Sequence, residues 1–241
     1  MRYFSIRRAK AFLWPSIARA LSDYCEPSYS QCGEDIALKS LLNLHRIRKG
    51  VFVDVGAYHP VHLSNTYRLY CCGWRGINIE PTPGRIDAFK LYRPRDISLA
   101  VGVTPDGKRT TQFYCFQQSE LNTFSDEIAQ QRIDAGHQLV CKRDVPVVNL
   151  NDILTRWIPE VEMIDVMSID CEGLDESILK SLDWSRWSPR ILIFEQDGVP
   201  FAEIPGLPIV SFLSSRGYEL FARVGPSLIA HKHRTKSIDS N

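Results

Sequence analysis

Neither sign of charge dominates this chain of 241 residues: Lys and Arg number 29 against 28 Asp and Glu, a formal net charge of +1. Without a basic field to gather phosphates, nucleic acid is not an expected partner. The seven cysteines, at 25, 32, 71, 72, 115, 141 and 171, are odd in number and contain no C-x-x-C pair. That spacing argues against a zinc module or a disulfide scaffold, and for a reduced, cytoplasmic protein with small buried thiols. No apolar run approaches the roughly 20 residues of a spanning helix. No internal repeat or low-complexity tract is present either. What remains is an ordinary balance, 44% hydrophobic and 24% charged, which fits a globular chain and not a disordered, collagen-like or coiled-coil one. A chain this long buries roughly 70–75% of its unfolded surface around one core.

The first 24 residues differ from the rest. Arg2, Arg7, Arg8, Lys10 and Arg19 surround the apolar run Ala11–Ile17, with Asp23 the lone acid. Pro15 breaks that run and Arg19 follows where a small-residue cleavage site would lie, so a signal peptide is not expected. Residues 1–27 read as a basic helical extension, laid on the domain or touching an anionic membrane surface weakly; residues 28–241 read as one domain.

From Gly50 onward, short β-like runs alternate with helical periods. Val51–Val55 is a buried parallel strand; Leu63, Tyr67, Tyr70 and Cys71 follow at helical spacing, with Gly73 as the C-terminal cap. Gly76–Glu80 is a second strand, Ile86, Phe89 and Lys90 to Tyr92 a helix, and Ile97–Val103 a third strand. Residues 109–116 look like an edge strand, Ser125 caps a polar helix ending at Gly136, and Val145–Val148 is again strand-like. These form an insertion on the sheet. Leu150, Ile153, Leu154, Trp157 and Ile158 make a helical stripe, Ile164–Ile169 a fourth core strand, Leu174–Leu182 its helix, and Ile191–Phe194 the fifth. Ile209, Phe212 and Leu213 mark a last helix before a hairpin of Tyr218–Ala222 and Ser227–Ala230. The expected fold class is α/β, a three-layer sandwich on a mainly parallel sheet.

In such sheets ligands bind beyond the carboxyl ends of the strands. Four predicted strands end in a carboxylate, Asp54, Glu80, Asp170 and Glu195, giving a rim that suits a positive or polyhydroxyl ligand. The turn Asp54-Val55-Gly56-Ala57-Tyr58-His59-Pro60 lacks the G-x-G-x-x-G that brings backbone amides to a pyrophosphate, and Pro60 removes a donor. A dinucleotide is therefore disfavoured. S-adenosylmethionine carries a sulfonium and no phosphate, and Glu80 is placed to meet its ribose diol. A capped turn and a surface glutamate would leave the same pattern.

Longer strings narrow the choice. Ser30-Gln31-Cys32-Gly33-Glu34-Asp35, Phe52 to Pro60, Ser64-Asn65-Thr66, Gly73 to Pro81, Leu121-Asn122-Thr123-Phe124-Ser125 and Ser168-Ile169-Asp170-Cys171-Glu172-Gly173 resemble the FkbM family of methyltransferases, from about residue 28 to 198. The resemblance implies a class I, Rossmann-like, seven-stranded fold and S-adenosylmethionine as cofactor. Family members commonly O-methylate sugar or polyketide hydroxyls, which implies a sugar or glycan acceptor; a member similar in size 2-O-methylates the fucose of lipo-chitooligosaccharide nodulation factors. Asp54, Gly56 and Ala57 match the family's cofactor turn, Glu80 its ribose-binding acid, and Asp170 and Glu172 its D-x-E-G element. Cys171 stands where the family often has valine, a change of packing alone.

Single residues stay open between roles. Asp170 is a candidate general base, with Glu172 capping the next helix. Alternatively Asp170, Glu172, Glu195 and Asp197 hold a divalent ion such as Mg²⁺ through hard oxygens. His59 is a second candidate base beside the cofactor; His62, three residues on, is a surface histidine. His231 and His233 read as solvated tail residues. Trp74, Trp184 and Trp187 are sugar-stacking platforms or, more ordinarily, packing at helix ends. A chain that kept the fold and lost turnover, as a non-catalytic cofactor- or glycan-binding module, is the alternative to an enzyme.

Overall fold

The computed structural model describes residues 26–106, 108–159 and 163–233. The basic N-terminal extension lies outside them, apart from Glu26 and Pro27. Strands β1 (Val51–Val55), β2 (Arg75–Ile79), β3 (Ile97–Leu99), β7 (Ile164–Ile169), β8 (Ile191–Glu195), β9 (Tyr218–Val224) and β10 (Ser227–Lys232) form a seven-stranded sheet ordered β3-β2-β1-β7-β8-β10-β9. Its pairings are parallel except those of β10, which runs antiparallel to β8 and β9. This is the expected α/β, three-layer, Rossmann-like arrangement. The chain order reverses between β1 and β7, so the strand ends there open a crevice.

Helices cover both faces, which is why β1, β7 and β8 read as continuous apolar runs. On one face α1 (Glu34–His45) sets Leu38, Leu41 and Leu42 against Phe52, Trp74 and Ile193; α2 (Tyr67–Cys71) adds Leu69. On the other, α5 (Leu150–Trp157), α6 (Asp175–Ser181) and α7 (Pro208–Ser214) pack Ile153, Leu154, Ile178, Leu179, Ile209 and Leu213 against Val53, Val55 and Met167. Helix α3 (Arg85–Tyr92) buries Ile86 and Phe89 beside Ala57. Trp74 and Trp187 are core residues, and Trp184 packs edge-on against Phe212 and Tyr218. All three therefore fill packing roles. Among the described residues no helix is long and apolar enough to cross a membrane.

Five expectations need correction. The predicted strand over 97–103 is two: β3 stays in the main sheet, while β4 (Gly102–Val103) leaves it to pair with Val147 and Val148. Gly102 permits this, since a Cβ there would meet the Phe124 ring at 2.3 Å. The second sheet, ordered β4-β6-β5, joins β5 (Thr110–Phe116) to β6 (Leu139–Val148), with helix α4 (Asp126–Asp134) between them. β6 begins six residues before the apolar stretch at 145–148, because solvent-facing Lys142, Arg143 and Asp144 mask it. Leu63 is not helical; it sits in a turn at φ 53°. His231 is a buried β10 residue between His45 and Glu219, not a tail residue. The thiols of the described residues are free but not all buried: Cys32, Cys71 and Cys72 are exposed.

Candidate active site

The turn after β1 is built by close approach. Gly56 takes φ +77°, and a Cβ there would fall 1.8 Å from the Asp170 carbonyl oxygen. The amides of Gly56 and Ala57 both donate to the Ile79 carbonyl, at 2.9 and 3.0 Å. Those two donors are spent within the sheet, a second reason why the turn does not cradle a pyrophosphate. Glu80, just past β2, is buried and accepts from the amides of Tyr58 (2.8 Å) and Thr82 (2.7 Å). Burial pushes its carboxyl up, opposed by those hydrogen bonds and by Arg85. The Thr82 side chain bonds the same carboxyl.

A cavity opens here beyond the carboxyl ends of β1, β2 and β7. Gly56, Tyr58, Glu80, Asp170 and Glu172 line it from the main sheet. The insertion closes it with Phe113, Asn122, Thr123 and Phe124, and Val101 and Val103 add an apolar wall. Two ties hold the insertion down: Arg85 lies over the Tyr58 ring (4.4 Å) and bonds Ser119, and the Thr123 hydroxyl donates to the Glu172 carbonyl (2.9 Å). Three of the four non-glycine residues with positive φ among the described residues, Tyr58, Leu63 and Glu172, line the cavity. Such strain costs about 1–3 kcal/mol each and persists where surrounding contacts over-determine it.

A larger open cleft of about 870 Å³ adjoins the cavity and shares Gln31, Leu63, Glu120 and Glu172 with it. Carboxylates crowd where the two meet. Oxygens of Asp170, Glu172 and Glu195 lie within 4.8 Å of one another. Burial, then the charges of Glu195, Asp175, Glu172 and Asp54, push Asp170 well above the carboxylate range. Burial first, then its acidic neighbours, likewise holds Glu195 at about 7. Asp175, pushed to about 7 mainly by burial, accepts from the amides of Cys171 and Glu195 (3.1 Å each) and so fixes the chain on both sides of the cluster. Arg132 on α4 pairs with Glu172. Three close hard oxygens suit a divalent cation, whose charge would relieve their repulsion.

The remaining candidates lie elsewhere. Asp54 is buried away from the cavity lining; it accepts from the Thr66 hydroxyl and faces Arg93. Ala57 packs with Ile86 and Phe89. His59 does not line the cavity: its Nδ1 accepts from the amides of Val61 and His62 (3.0 Å each). Burial, then His62 and two arginines, lowers it to about 4. Arg93 escaped notice in the sequence. It is fully buried and donates to the Pro60 carbonyl, Ser64, Thr66 and Asn78 at 2.6–2.9 Å. A lone arginine after a helix gives no periodic signal. Asn122 to Phe124 were visible only as part of a family-like string, and Phe113 only within the edge strand over 109–116, without a role.

A reversed parallel sheet, a single-glycine turn after its first strand and a buried acid after its second define an S-adenosylmethionine-dependent methyltransferase. The sequence profile of the methyltransferase FkbM domain matches residues 54–220, more than half the chain, and the chain belongs to that family. No curated protein sequence matches it. Solved structures similar to it include a TehB-like SAM-dependent methyltransferase from Corynebacterium glutamicum (12% identity, 94% of this chain and 100% of that one, TM-score 0.38). An O-methyltransferase from Bacillus cereus in complex with SAH is 10% identical over 90% and 97% of the two chains, TM-score 0.41. A precorrin-6y C5,15-methyltransferase from Geobacter metallireducens is 15% identical over 83% and 87%, TM-score 0.38.

Proposed function

We propose that this methyltransferase acts on a hydroxyl of a sugar or glycan, with Asp170 as the general base. The observation that carries the reading is a carboxyl held well above its ordinary range where the cofactor cavity meets an open acidic cleft. S-adenosylmethionine supplies an electrophilic methyl on a positive sulfur. Glu80 would hold its ribose hydroxyls, and Val101, Val103 and Phe124 form an apolar wall. The acceptor hydroxyl lies in the cleft and gives its proton to an Asp170 oxygen as the methyl arrives. Glu120, Glu176, Glu195 and Asp197 line the cleft, with Arg132 tied to Glu172. Such walls repel phosphate and favour a neutral or cationic polyol. Within the family's acceptors, a glycoside such as the fucose of a nodulation factor fits better than a nucleotide-linked sugar. Labelled methyl transfer onto a panel of free glycosides and nucleotide sugars tests this. Binding of S-adenosylhomocysteine with no methyl transfer to any hydroxyl would leave a binding module instead.

The triangle of Asp170, Glu172 and Glu195 favours a second reading, in which these residues hold Mg²⁺ and it acidifies the acceptor hydroxyl. Activity lost to a chelator and restored by Mg²⁺ selects it; insensitivity selects the base. We further read the enzyme as cytoplasmic, from its free thiols, with its basic N-terminal segment touching anionic lipid. Equal flotation of the full-length and 1–24-deleted chains with anionic liposomes would sink the lipid contact.

A further inference from the structure

Cys115 and Cys141 stand directly opposite each other across the antiparallel pair β5–β6. Opposed residues in such a pair have Cα atoms about 4.5 or 5.5 Å apart, and a disulfide needs about 4.4–6.8 Å. Alternation puts both side chains on the face that carries Phe113 and Val145, and Cys115 packs with Phe113, Val147 and Phe124. Both cysteines are free and half-buried. The Arg143 guanidinium donates to Cys141 Sγ at 3.6 Å, so a cation stands beside any negative charge on that sulfur.

We propose that Cys115 and Cys141 are a cross-strand dithiol that a peroxide oxidises to a disulfide, a modification site on the wall of the cofactor cavity. The Cys141 sulfur attacks one peroxide oxygen; the S–O bond forms as O–O breaks, and the departing hydroxide takes a proton to become water. The Cys115 sulfur then displaces the second oxygen: S–S forms, S–O breaks, and that oxygen leaves as water with the last thiol proton. Two thiols and one hydrogen peroxide give a disulfide and two waters, two electrons passing from sulfur to oxygen. The Arg143 guanidinium beside the Cys141 sulfur favours attack beginning there. Phe113, two residues from Cys115 and in the cluster it packs against, lines the cavity.

The test treats the full-length protein with hydrogen peroxide, denatures it without reductant and counts free thiols. The expected count falls from seven to five, a linked peptide joins Cys115 to Cys141, and dithiothreitol restores seven. Cys141→Ser, with six thiols, keeps six. A wild-type count that stays at seven, or a linked peptide joining other cysteines, overturns the proposal without reference to any variant.

Discussion

Two buried charge centres, one on β1 and β2 and the other beyond β7 and β8, are built on opposite principles. Around Arg93, charge is matched: Asp54 and Asp96 face a guanidinium that four oxygen acceptors satisfy, and the Tyr67, Tyr70 and Phe89 rings flank it. Around Asp170, charge is crowded: four carboxylates share a space that Arg132 alone reaches among the described cations, through Glu172. The first arrangement lowers the energy of one fixed state, clamping the 60–66 loop to β1 and β2. The second raises the energy of the fully ionised state and so keeps protons available near neutrality. Matched charge marks structure here, and mismatched charge marks chemistry.

Breaking each centre should therefore give opposite readouts. Arg93→Met strands two carboxylates and should cost about 3–5 kcal/mol in urea unfolding. Arg93→Lys, which cannot span four acceptors, should recover only part. Asp170→Asn should leave unfolding unchanged or more favourable to the native state, yet lower kcat by about 10²–10⁴-fold with cofactor affinity intact. A stable Arg93→Met protein, or a fully active Asp170→Asn one, would erase the contrast. Glu80→Ala should weaken S-adenosylhomocysteine binding by about 1.5–3 kcal/mol in calorimetry, the worth of a hydrogen bond to a charged group.

The finest test is pH. Asp175 and Glu195 sit at about 7 in the fold against ordinary values of 3.8 and 4.5, so the folded state holds their protons more tightly than the unfolded chain. Their contribution to stability is fully present below about pH 4 and is lost as pH rises towards 7. His59, lowered to about 4 from 6.5, runs the other way, its contribution fading as pH falls below 6.5. Glu195→Gln should flatten the carboxylate slope in unfolding and shift the rise of kcat with pH to lower pH, because a charge that raises Asp170 is gone. An unmoved profile would remove Glu195 from the cluster.

The seven strands were legible because burial on two faces forces long runs of Val, Ile and Leu, as in Ile164–Ile169. The acid at position 80 and the glycine at 56 were legible because a strand end and a tight turn constrain residue type. Position within the rim was not. Asp54 lies level with Asn78 in the β1–β2 register and meets Arg93 beside it, whereas Glu80 lies past the end of β2 and lines the cavity. β6 was hidden by its polar face, β4 by a glycine whose need lies 22 residues away at Phe124, and the buried state of His231 by its place in a basic run. Long-range packing settles all of these, and a linear pattern carries no trace of it.

The insertion leaves the main body after β3 and returns at the end of β6, and these two points touch: Gly102 and Val103 pair with Val147 and Val148, and the Thr104 amide donates to the Val148 carbonyl. An excursion whose ends are stitched together can change length without moving the register of the sheet beneath it, because loop closure costs little more as a loop grows. On the proposed function, recognition of the donor is thus anchored in one part of the fold, while α4 and its flanks, which wall the open cleft, form a cassette that can be exchanged. Val101, Val103, Phe113, Ser119, Glu120 and 122–124 are the exception, since they line the cavity. Grafting another acceptor preference onto this scaffold would have to keep those positions and could discard most of the rest.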